Sequence, residues 1–277
     1  MALSLLKRLM TSGDDADAGT REDDLVQTAS RLREGDVFLV SYPRSGNTWL
    51  RNIVAHILYD ESRIRSLKDL DWLVPDIYHG LPPRDDTTLV VKSHDTFSNR
   101  LFKRKHPYDR IVYVARHPFD VACSYHHYLH TINPDEWSGP LDDFVEAFTK
   151  GAVWPGSWHE HALSWQVAQK HREMIVLRYE DLRRRSLPEI QRLGRFLGRD
   201  LDKEQAARVS QRCSRENMVA LEKKGSLVRD DYAFIRRSDQ KRSTKEDLTD
   251  AHRAVNEHRC GEAIRTLGYA DAPTDAV

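Results

Sequence analysis

The chain has 277 residues, of which 39% are hydrophobic, and its 43 lysine and arginine residues are balanced by 43 aspartate and glutamate residues. A neutral chain of this size can bury a sizeable core but has no overall positive field of the kind that binds nucleic acid. The three cysteines, Cys123, Cys213 and Cys260, are too few and too widely spaced for a disulfide framework or a metal-binding pattern, which suits a reducing cytoplasm.

Both ends of the chain are predicted to lie outside the folded domain. Residues 1–30 begin with an apolar block, MALSLLKRLM, that is too short for a signal peptide or a membrane span and allows at most a peripheral membrane contact. A polar, acidic stretch follows this block, and the last residues are equally polar. We predict a flexible leader over 1–30, a single domain over 31–269, a disordered tail over 270–277 and a cytoplasmic location.

Short runs rich in β-branched residues alternate with helical patterns along the domain. The predicted strands are Val37–Ser41, Thr88–Lys92, Arg110–Ala115 and Met174–Tyr179. Helices are predicted after the first and third strands, and also over Leu141–Phe148, Trp158–Lys170 and Pro188–Leu197. Strand, loop and helix in repeated order predict an α/β fold, a single three-layer domain with a central parallel sheet and its ligand at the carboxyl ends of the strands.

The junction after the first predicted strand reads SYPRSGNTW and has the composition of an anion site. A strand that ends in a glycine-containing turn and starts a helix directs several free backbone N–H groups at one point. Gly46 lets the backbone approach closely, Arg44 adds positive charge, and Ser45, Asn47 and Thr48 add hydroxyl and amide donors. A P-loop would carry lysine after the glycine, so this loop favours a phosphate-type group held without a metal. An ordinary turn capped by Asn47 or Thr48 is an equally open interpretation of these residues alone.

This loop resembles the 5′-phosphosulfate-binding loop of the sulfotransferases, YPKSGTTW. Four segments further along resemble other motifs of that family, in the family's order, the fourth more loosely. VYVARHPFDVACSYHHY is similar to the 3′-phosphate-binding segment, with Arg116 and Ser124 at its spacing, and VVKSH is similar to the KTH segment, whose histidine is the catalytic base and corresponds to His94. LRYEDL, which contains Tyr179, resembles a structural segment. SRENM, which starts at Ser214, more loosely resembles the adenosine-contacting SFKEM.

The resemblance covers about residues 36–250 and implies a donor, 3′-phosphoadenosine 5′-phosphosulfate (PAPS), with 3′-phosphoadenosine 5′-phosphate (PAP) as the product. It implies an acceptor hydroxyl on a small molecule, a glycolipid or a natural product. The residues that the resemblance implies in binding the donor are Arg44, Ser45, Gly46, Asn47, Thr48, Trp49, Arg116, Ser124, Tyr179, Ser214, Arg236 and Arg237.

The catalytic roles follow from in-line sulfuryl transfer, in which negative charge builds on the bridging oxygen of the leaving nucleotide. Arg44 is the candidate cation beside that oxygen, and Lys92 is a candidate ligand of the sulfonate or of the same oxygen. His94 is the predicted general base for the acceptor hydroxyl. Asp95 or Glu180 is an alternative base, and the sequence leaves this choice open.

Two segments depart from the family pattern. FIRRSDQKRST lacks the glycine and the GDW of FxRKGxxGDW, although Arg236 and Arg237 are present to reach a 3′ phosphate. The dimer motif KxxxTVxxxE begins here at Lys245 and has Asp250 and Ala254 in place of valine and glutamate. The resemblance therefore leaves a homodimer open.

The acceptor is expected to lie against the stretches Leu67–Pro83 and Ile132–Trp158. These stretches carry four large aromatic residues among polar ones: Trp72, Tyr78, Trp137 and Trp154. No metal is expected, because the histidines of HHYLH lie on a predicted packing helix without an accompanying cysteine or acidic ligand pattern. Two other functions stay open: a P-loop kinase using ATP and magnesium, which would need the missing lysine, and a non-catalytic phosphonucleotide-binding module.

Overall fold

The computed structural model describes residues 31–83, 88–97, 109–227, 235 and 247–269. The strands among these residues are β1 (Val37–Ser41), β2 (Val90–Ser93), β3 (Arg110–Ala115) and β4 (Glu173–Arg178). The α-helices are α1 (Asn47–Leu58), α2 (Leu70–Leu73), α3 (Pro118–Ile132), α4 (Leu141–Thr149), α5 (Trp158–Gln169), α6 (Tyr179–Arg184), α7 (Ser186–Phe196), α8 (Lys203–Arg212), α9 (Arg215–Lys224) and α10 (Asp250–Thr266). Short 3₁₀ turns occur at Glu61–Arg63, Leu67–Asp69 and Ile77–His79.

The four strands form one parallel sheet in the order β2-β1-β3-β4. In the register of the sheet, Val37 lies beside both Val90 and Arg110, and Arg110 lies beside Glu173. Because all strands run the same way, their carboxyl ends meet at one edge. The predicted α/β fold with a central parallel sheet is therefore confirmed.

The sheet has a packed core on each face, as a three-layer domain requires. Successive side chains of a strand point to opposite faces, and β1 divides accordingly. Phe38 and Val40 join a core built with α3, α4, α5 and α10. Val37 and Leu39 join a second core built with α1, α7, α8 and α9. Because β1 is buried on both faces, it is a rigid support for the loop that follows it.

The predicted leader and tail lie outside the described residues, so the domain boundaries stay a prediction. In the part of the chain that is described, no helix has both the length and the apolar character needed to cross a membrane.

Candidate active site

The loop between β1 and α1 turns through two residues with left-handed backbone conformations, Arg44 at φ 66° and Gly46 at φ 95°. The backbone N–H of Ser45 donates to the Tyr42 carbonyl at 3.3 Å, and α1 begins directly after Gly46. The first turn of a helix leaves backbone N–H groups without an intrahelical acceptor. The loop therefore presents the amide groups expected of an anion site at the carboxyl edge of the sheet.

Two polar side chains of this loop have different surroundings. Ser45 is fully buried, and its Oγ has no hydrogen-bond partner among the described residues. Asn47 directs its side-chain N–H groups at β1, donating to Ser41 Oγ at 3.0 Å and to the Leu39 carbonyl at 3.4 Å. Ser45 is thus a hydroxyl available to a ligand, whereas Asn47 holds the loop against β1.

Tyr179 closes over the loop from the end of β4. A Cβ atom placed on Gly46 would lie 2.5 Å from the Tyr179 ring, so only glycine fits at this position. Trp49 meets the same ring edge-on, with 5.7 Å between centroids, and its Nε1 donates to the Cys213 carbonyl at 2.8 Å. The next residue, Ser214, caps α9. The predicted donor-binding residues of the loop, the start of α6 and the start of α9 therefore lie together.

Arg116, the residue after β3, is buried between the loop and Tyr179. Its Nη1 donates to the Arg44 carbonyl at 2.9 Å, and its guanidinium lies 4.6 Å from the Tyr179 ring centroid. Its ion pair with Asp120 is longer, at 3.8 Å. Its Nε is buried without a partner among the described residues. The guanidinium therefore keeps a donor for an anion.

Arg44 reaches across to α3. Its Nε donates to the Oγ of Ser124 at 3.4 Å, and its guanidinium lies 4.6 Å from the ring centroid of Tyr128. The structure thus brings Arg44 next to Ser124 and Arg116, the residues expected to hold a 3′ phosphate. The sequence suggested a different neighbour for Arg44, the bridging oxygen of the 5′ group.

His94 follows β2 and lies beside the end of β1. Its Nδ1 is 2.6 Å from the Ser41 carbonyl oxygen, which can only accept a hydrogen bond, so the ring proton is on Nδ1 and Nε2 keeps its lone pair. Burial lowers the pKa of His94 well below its usual value, and the Lys92 ammonium lowers it further, against opposing effects of Asp76 and the Ser41 carbonyl. The imidazole is therefore neutral at neutral pH, as a general base must be.

Lys92 forms a salt bridge with Asp76, and the two side chains are only 14% and 7% exposed. Burial would raise the pKa of Asp76, but Lys92 and two histidines, His79 and His94, outweigh it and leave that pKa below the usual value. Sequence analysis missed Asp76. A buried lysine predicts a carboxylate partner, but nothing local identifies one 16 residues earlier in the chain.

The two alternative bases are both engaged in the structure. Asp95 accepts from the Tyr78 hydroxyl at 2.7 Å and from Ser93 Oγ at 3.0 Å. Glu180 accepts from the backbone N–H of His117 at 3.0 Å and from the Tyr269 hydroxyl at 2.9 Å. Each oxygen of both carboxylates thus accepts a hydrogen bond from another group of the protein.

A family model, the sulfotransferase domain, matches residues 34–268 of the chain. The chain belongs to the sulfotransferase family. Among curated sulfotransferases, it is 30% identical to mouse sulfotransferase 1B1 over 200 residues, which is 66% of this chain and 65% of that protein. It is 28% identical to the amine sulfotransferase of Oryctolagus cuniculus over 198 residues, which is 68% of this chain and 64% of that protein. The chain thus spans less than two thirds of the length of these relatives.

Two solved structures share the sulfotransferase fold. Mouse sulfotransferase SULT7A1, complexed with PAP, aligns with a TM-score of 0.67 and 22% identity over 88% of this chain and 90% of that chain. Retinol dehydratase, in complex with androsterone and PAP, aligns with a TM-score of 0.64 and 22% identity over 92% of this chain and 88% of that chain. The likeness extends across the described domain.

Beside His94, the chain has an aromatic wall, defined here as Tyr78 and Trp154. Trp154 meets the His94 ring edge-on at 5.6 Å between centroids and the Tyr78 ring at 5.7 Å. The other two candidates lie elsewhere, since Trp137 packs on Phe144 and Trp72 is 65% exposed. Of the four expected aromatic residues, Trp154 therefore contacts the candidate base and Tyr78 packs on Trp154.

The described residues include only some of the remaining residues that were predicted from the sequence. Arg236, Arg237 and Lys245 lie outside them. Asp250 and Ala254 are exposed on α10, and the homodimer stays a prediction. Within the described ranges, no group of three histidine, cysteine or acidic side chains is arranged to hold a metal. His126, of the HHYLH cluster, instead has its Nε2 at 3.0 Å from the Gly139 carbonyl oxygen.

Proposed function

We propose that this sulfotransferase moves a sulfonate group from PAPS to a hydroxyl of a small-molecule acceptor, with His94 as the general base. One observation carries the proposal: the 2.9 Å hydrogen bond from Arg116 Nη1 to the Arg44 carbonyl. It joins the loop after β1, an amide-rich anion site, to the cluster of Arg116, Arg44 and Ser124. A nucleotide with anionic groups on both its 3′ and 5′ sides requires two such sites on one surface.

The unpaired polar atoms of the site fit this ligand. Among the described residues, the buried Ser45 Oγ and Arg116 Nε have no partner, and a hydroxyl and a guanidinium N–H are donors suited to phosphate oxygens. The two solved neighbours were determined with PAP bound, which supports the same nucleotide here. When bound, PAPS supplies the sulfonate and leaves as PAP.

Different residues of the chain bind the two ends of the donor and stabilise the charge that develops during transfer. The loop amides and Ser45 hold the 5′ end, while Arg116, Arg44 and Ser124 hold the 3′ phosphate. Lys92 has three N–H donors, of which Asp76 takes one, so the ammonium can also bind the sulfonate. We assign the stabilisation of developing charge to Lys92 because the Arg44 guanidinium lies beside Ser124 and Tyr128.

His94 removes the proton of the attacking hydroxyl through Nε2, the ring nitrogen left with a lone pair when Nδ1–H donates to Ser41. The aromatic wall of Tyr78 and Trp154 lies beside the His94 ring and offers apolar ring surface on which a ring of the acceptor can pack. A cytoplasmic location and a glycolipid acceptor remain predictions from the sequence.

The test is the conversion of PAPS to PAP with a panel of phenols, aliphatic alcohols, sugars and amines, in EDTA, with His94→Ala as the comparison. Turnover in EDTA that requires His94 is the expected result. Phosphate transfer from ATP that requires magnesium would replace the proposal with a kinase. Tight PAP binding by both proteins without turnover of any acceptor would favour a binding module.

A further inference from the structure

The segment that carries Trp154 joins α4 to α5 and forms neither helix nor strand over residues 151–157. Backbone carbonyl groups in such a segment need hydrogen-bond donors from elsewhere in the chain. The hydroxyl of Tyr125 donates to the Trp154 carbonyl at 2.9 Å. The hydroxyl of Tyr42 donates to the Gly156 carbonyl at 2.8 Å. The segment is therefore held at Trp154 itself and again two residues later.

Both tyrosines are fixed in the core beside residues expected to bind the donor. Tyr42 follows β1, and its carbonyl accepts from the backbone N–H of Ser45 at 3.3 Å. Tyr125 lies on α3 directly after Ser124. The two tyrosines are only 1% and 2% exposed, and burial raises the pKa of both hydroxyls well above the usual value. Both hydroxyls therefore stay protonated and donate at neutral pH.

The contact of Trp154 with the candidate base gives these two hydrogen bonds a functional meaning. The Trp154 ring is partly exposed and meets the His94 ring edge-on, with 5.6 Å between centroids. A phenylalanine in place of either tyrosine would keep an aromatic ring in the core and lose only the hydrogen bond. The carbonyl left without its donor would turn toward water or another donor. Such a movement of the segment would take the Trp154 ring away from His94.

We propose that Tyr42 and Tyr125 are positioning residues for the acceptor, whose hydroxyls hold the Trp154 ring against His94 as the surface on which an acceptor ring packs. The inference rests on the proposed function, in which His94 is the base. It favours acceptors whose hydroxyl is carried on a ring, because a ring can pack on Trp154 while its hydroxyl faces the imidazole. Donor binding should not depend on the two hydroxyls, since both are engaged with the Trp154 segment.

The kinetic test compares Tyr42→Phe and Tyr125→Phe with wild type, using phenol as the acceptor. Tyr113→Phe is the matched control, because it removes another buried tyrosine hydroxyl, one that pairs with His161 on α5 at 3.2 Å. We expect the KM for phenol to rise by about fivefold to tenfold in the first two variants, with PAP affinity unchanged, and neither to change in the control. An unchanged KM in both variants, an equal rise in Tyr113→Phe, or an equal loss of PAP affinity would overturn the proposal.

A second measurement does not depend on turnover. An aromatic ring shifts the NMR resonances of protons near it, so the His94 ring protons report the position of Trp154, and Trp154→Leu gives their resonances without that ring. We expect both Tyr42→Phe and Tyr125→Phe to move the His94 resonances toward the Trp154→Leu values, and Tyr113→Phe to leave them near wild type.

Unchanged His94 resonances in a folded Tyr42→Phe or Tyr125→Phe variant would overturn the positioning role, and either variant is sufficient if the other does not fold. Absence of sulfonate transfer to every acceptor would instead count against the proposed function. The two failures are therefore distinguishable.

Discussion

The Nδ1 atom of His94 lies 2.6 Å from the carbonyl oxygen of Ser41, the last residue of β1. This contact joins the candidate base directly to the strand whose loop forms the anion site. It fixes the tautomer of the imidazole and aims Nε2 away from the sheet backbone, because the two ring nitrogens point in different directions. One short hydrogen bond therefore couples the position of the base to that of the donor site.

The pH dependence of the reaction follows from the surroundings of His94. Burial and the Lys92 ammonium lower the pKa of the imidazole, and a base acts only in its neutral form. We expect kcat/KM for the acceptor to stay constant as the pH falls from 8 through the ordinary histidine value of about 6.5, and to decline only in more acidic solution. His94→Ala should lose about 100-fold or more in kcat, and His171→Ala, at an exposed position, is the control. A decline in kcat/KM centred above the ordinary histidine value would contradict the assignment of His94 as the general base.

Substitution of Gly46 tests the contact between the loop and Tyr179. Gly46→Ala combines a left-handed φ of 95° with a Cβ atom 2.5 Å from the Tyr179 ring. Gly198→Ala, with φ 76° and open space around the Cβ, carries the backbone strain alone. We expect backbone strain to destabilise both variants by about 1 kcal/mol, the clash with Tyr179 to destabilise Gly46→Ala further, and only Gly46→Ala to weaken PAP binding. Thermal unfolding and PAP titration of the two variants measure these effects, and equal PAP affinity would contradict them.

The salt bridge between Lys92 and Asp76 is predicted to be essential for stability. Asp76→Asn removes the carboxylate and leaves a buried ammonium without its partner. We expect a loss of about 3 kcal/mol in the free energy of unfolding, measured by urea denaturation. Glu146→Gln breaks a solvent-exposed pair with Lys150 and should leave the urea midpoint unchanged. Similar midpoints for both variants would show that the Lys92 pair is not stabilising.

Glu136 links stability to pH. Burial raises the pKa of its carboxyl to about 7 from the ordinary 4.5. The folded state therefore favours the protonated form, and the stability that this contributes is complete below pH 4.5 and is lost as the pH rises through 7. The glutamine side chain of the Glu136→Gln variant cannot ionise, so it lacks this dependence on pH.

We expect Glu136→Gln to be more stable than wild type at about pH 8, by about 1–2 kcal/mol because the half-exposed carboxyl is screened by solvent. The difference should vanish in acid. Urea denaturation at the two pH values measures it, with Glu160→Gln at an exposed site as the control for the substitution. A difference that does not depend on pH would contradict the role of ionisation.

The strands were the most predictable part of the fold. The bounds of β1 and β3 agree with those predicted, because buried parallel strands read as continuous β-branched runs. Helices α8 and α9 were not predicted. Their sequences are dominated by charged and polar residues, and each helix buries only two side chains, so neither has enough apolar residues to be recognised from a hydrophobic pattern.

Site residues were predictable from the sequence where their separation along the chain is itself informative. Arg116 and Ser124 lie eight residues apart across the start of one helix, and the structure places both at the same cluster. The direction of the Arg44 side chain and the pairing of Lys92 with Asp76 depend on tertiary packing, since each partner lies on a different element. No local sequence pattern predicts such tertiary contacts.

The central claim is that one nucleotide with 3′ and 5′ phosphate groups binds across the loop after β1 and Arg116. Calorimetric titration with PAP, and separately with ATP and magnesium, tests it on wild type, Arg116→Ala and the exposed-site control Arg208→Ala. We predict tight PAP binding that is indifferent to magnesium, weakened by roughly tenfold to a hundredfold in Arg116→Ala and unchanged in Arg208→Ala. Preference for ATP with magnesium, or PAP affinity that survives the loss of Arg116, would contradict the account.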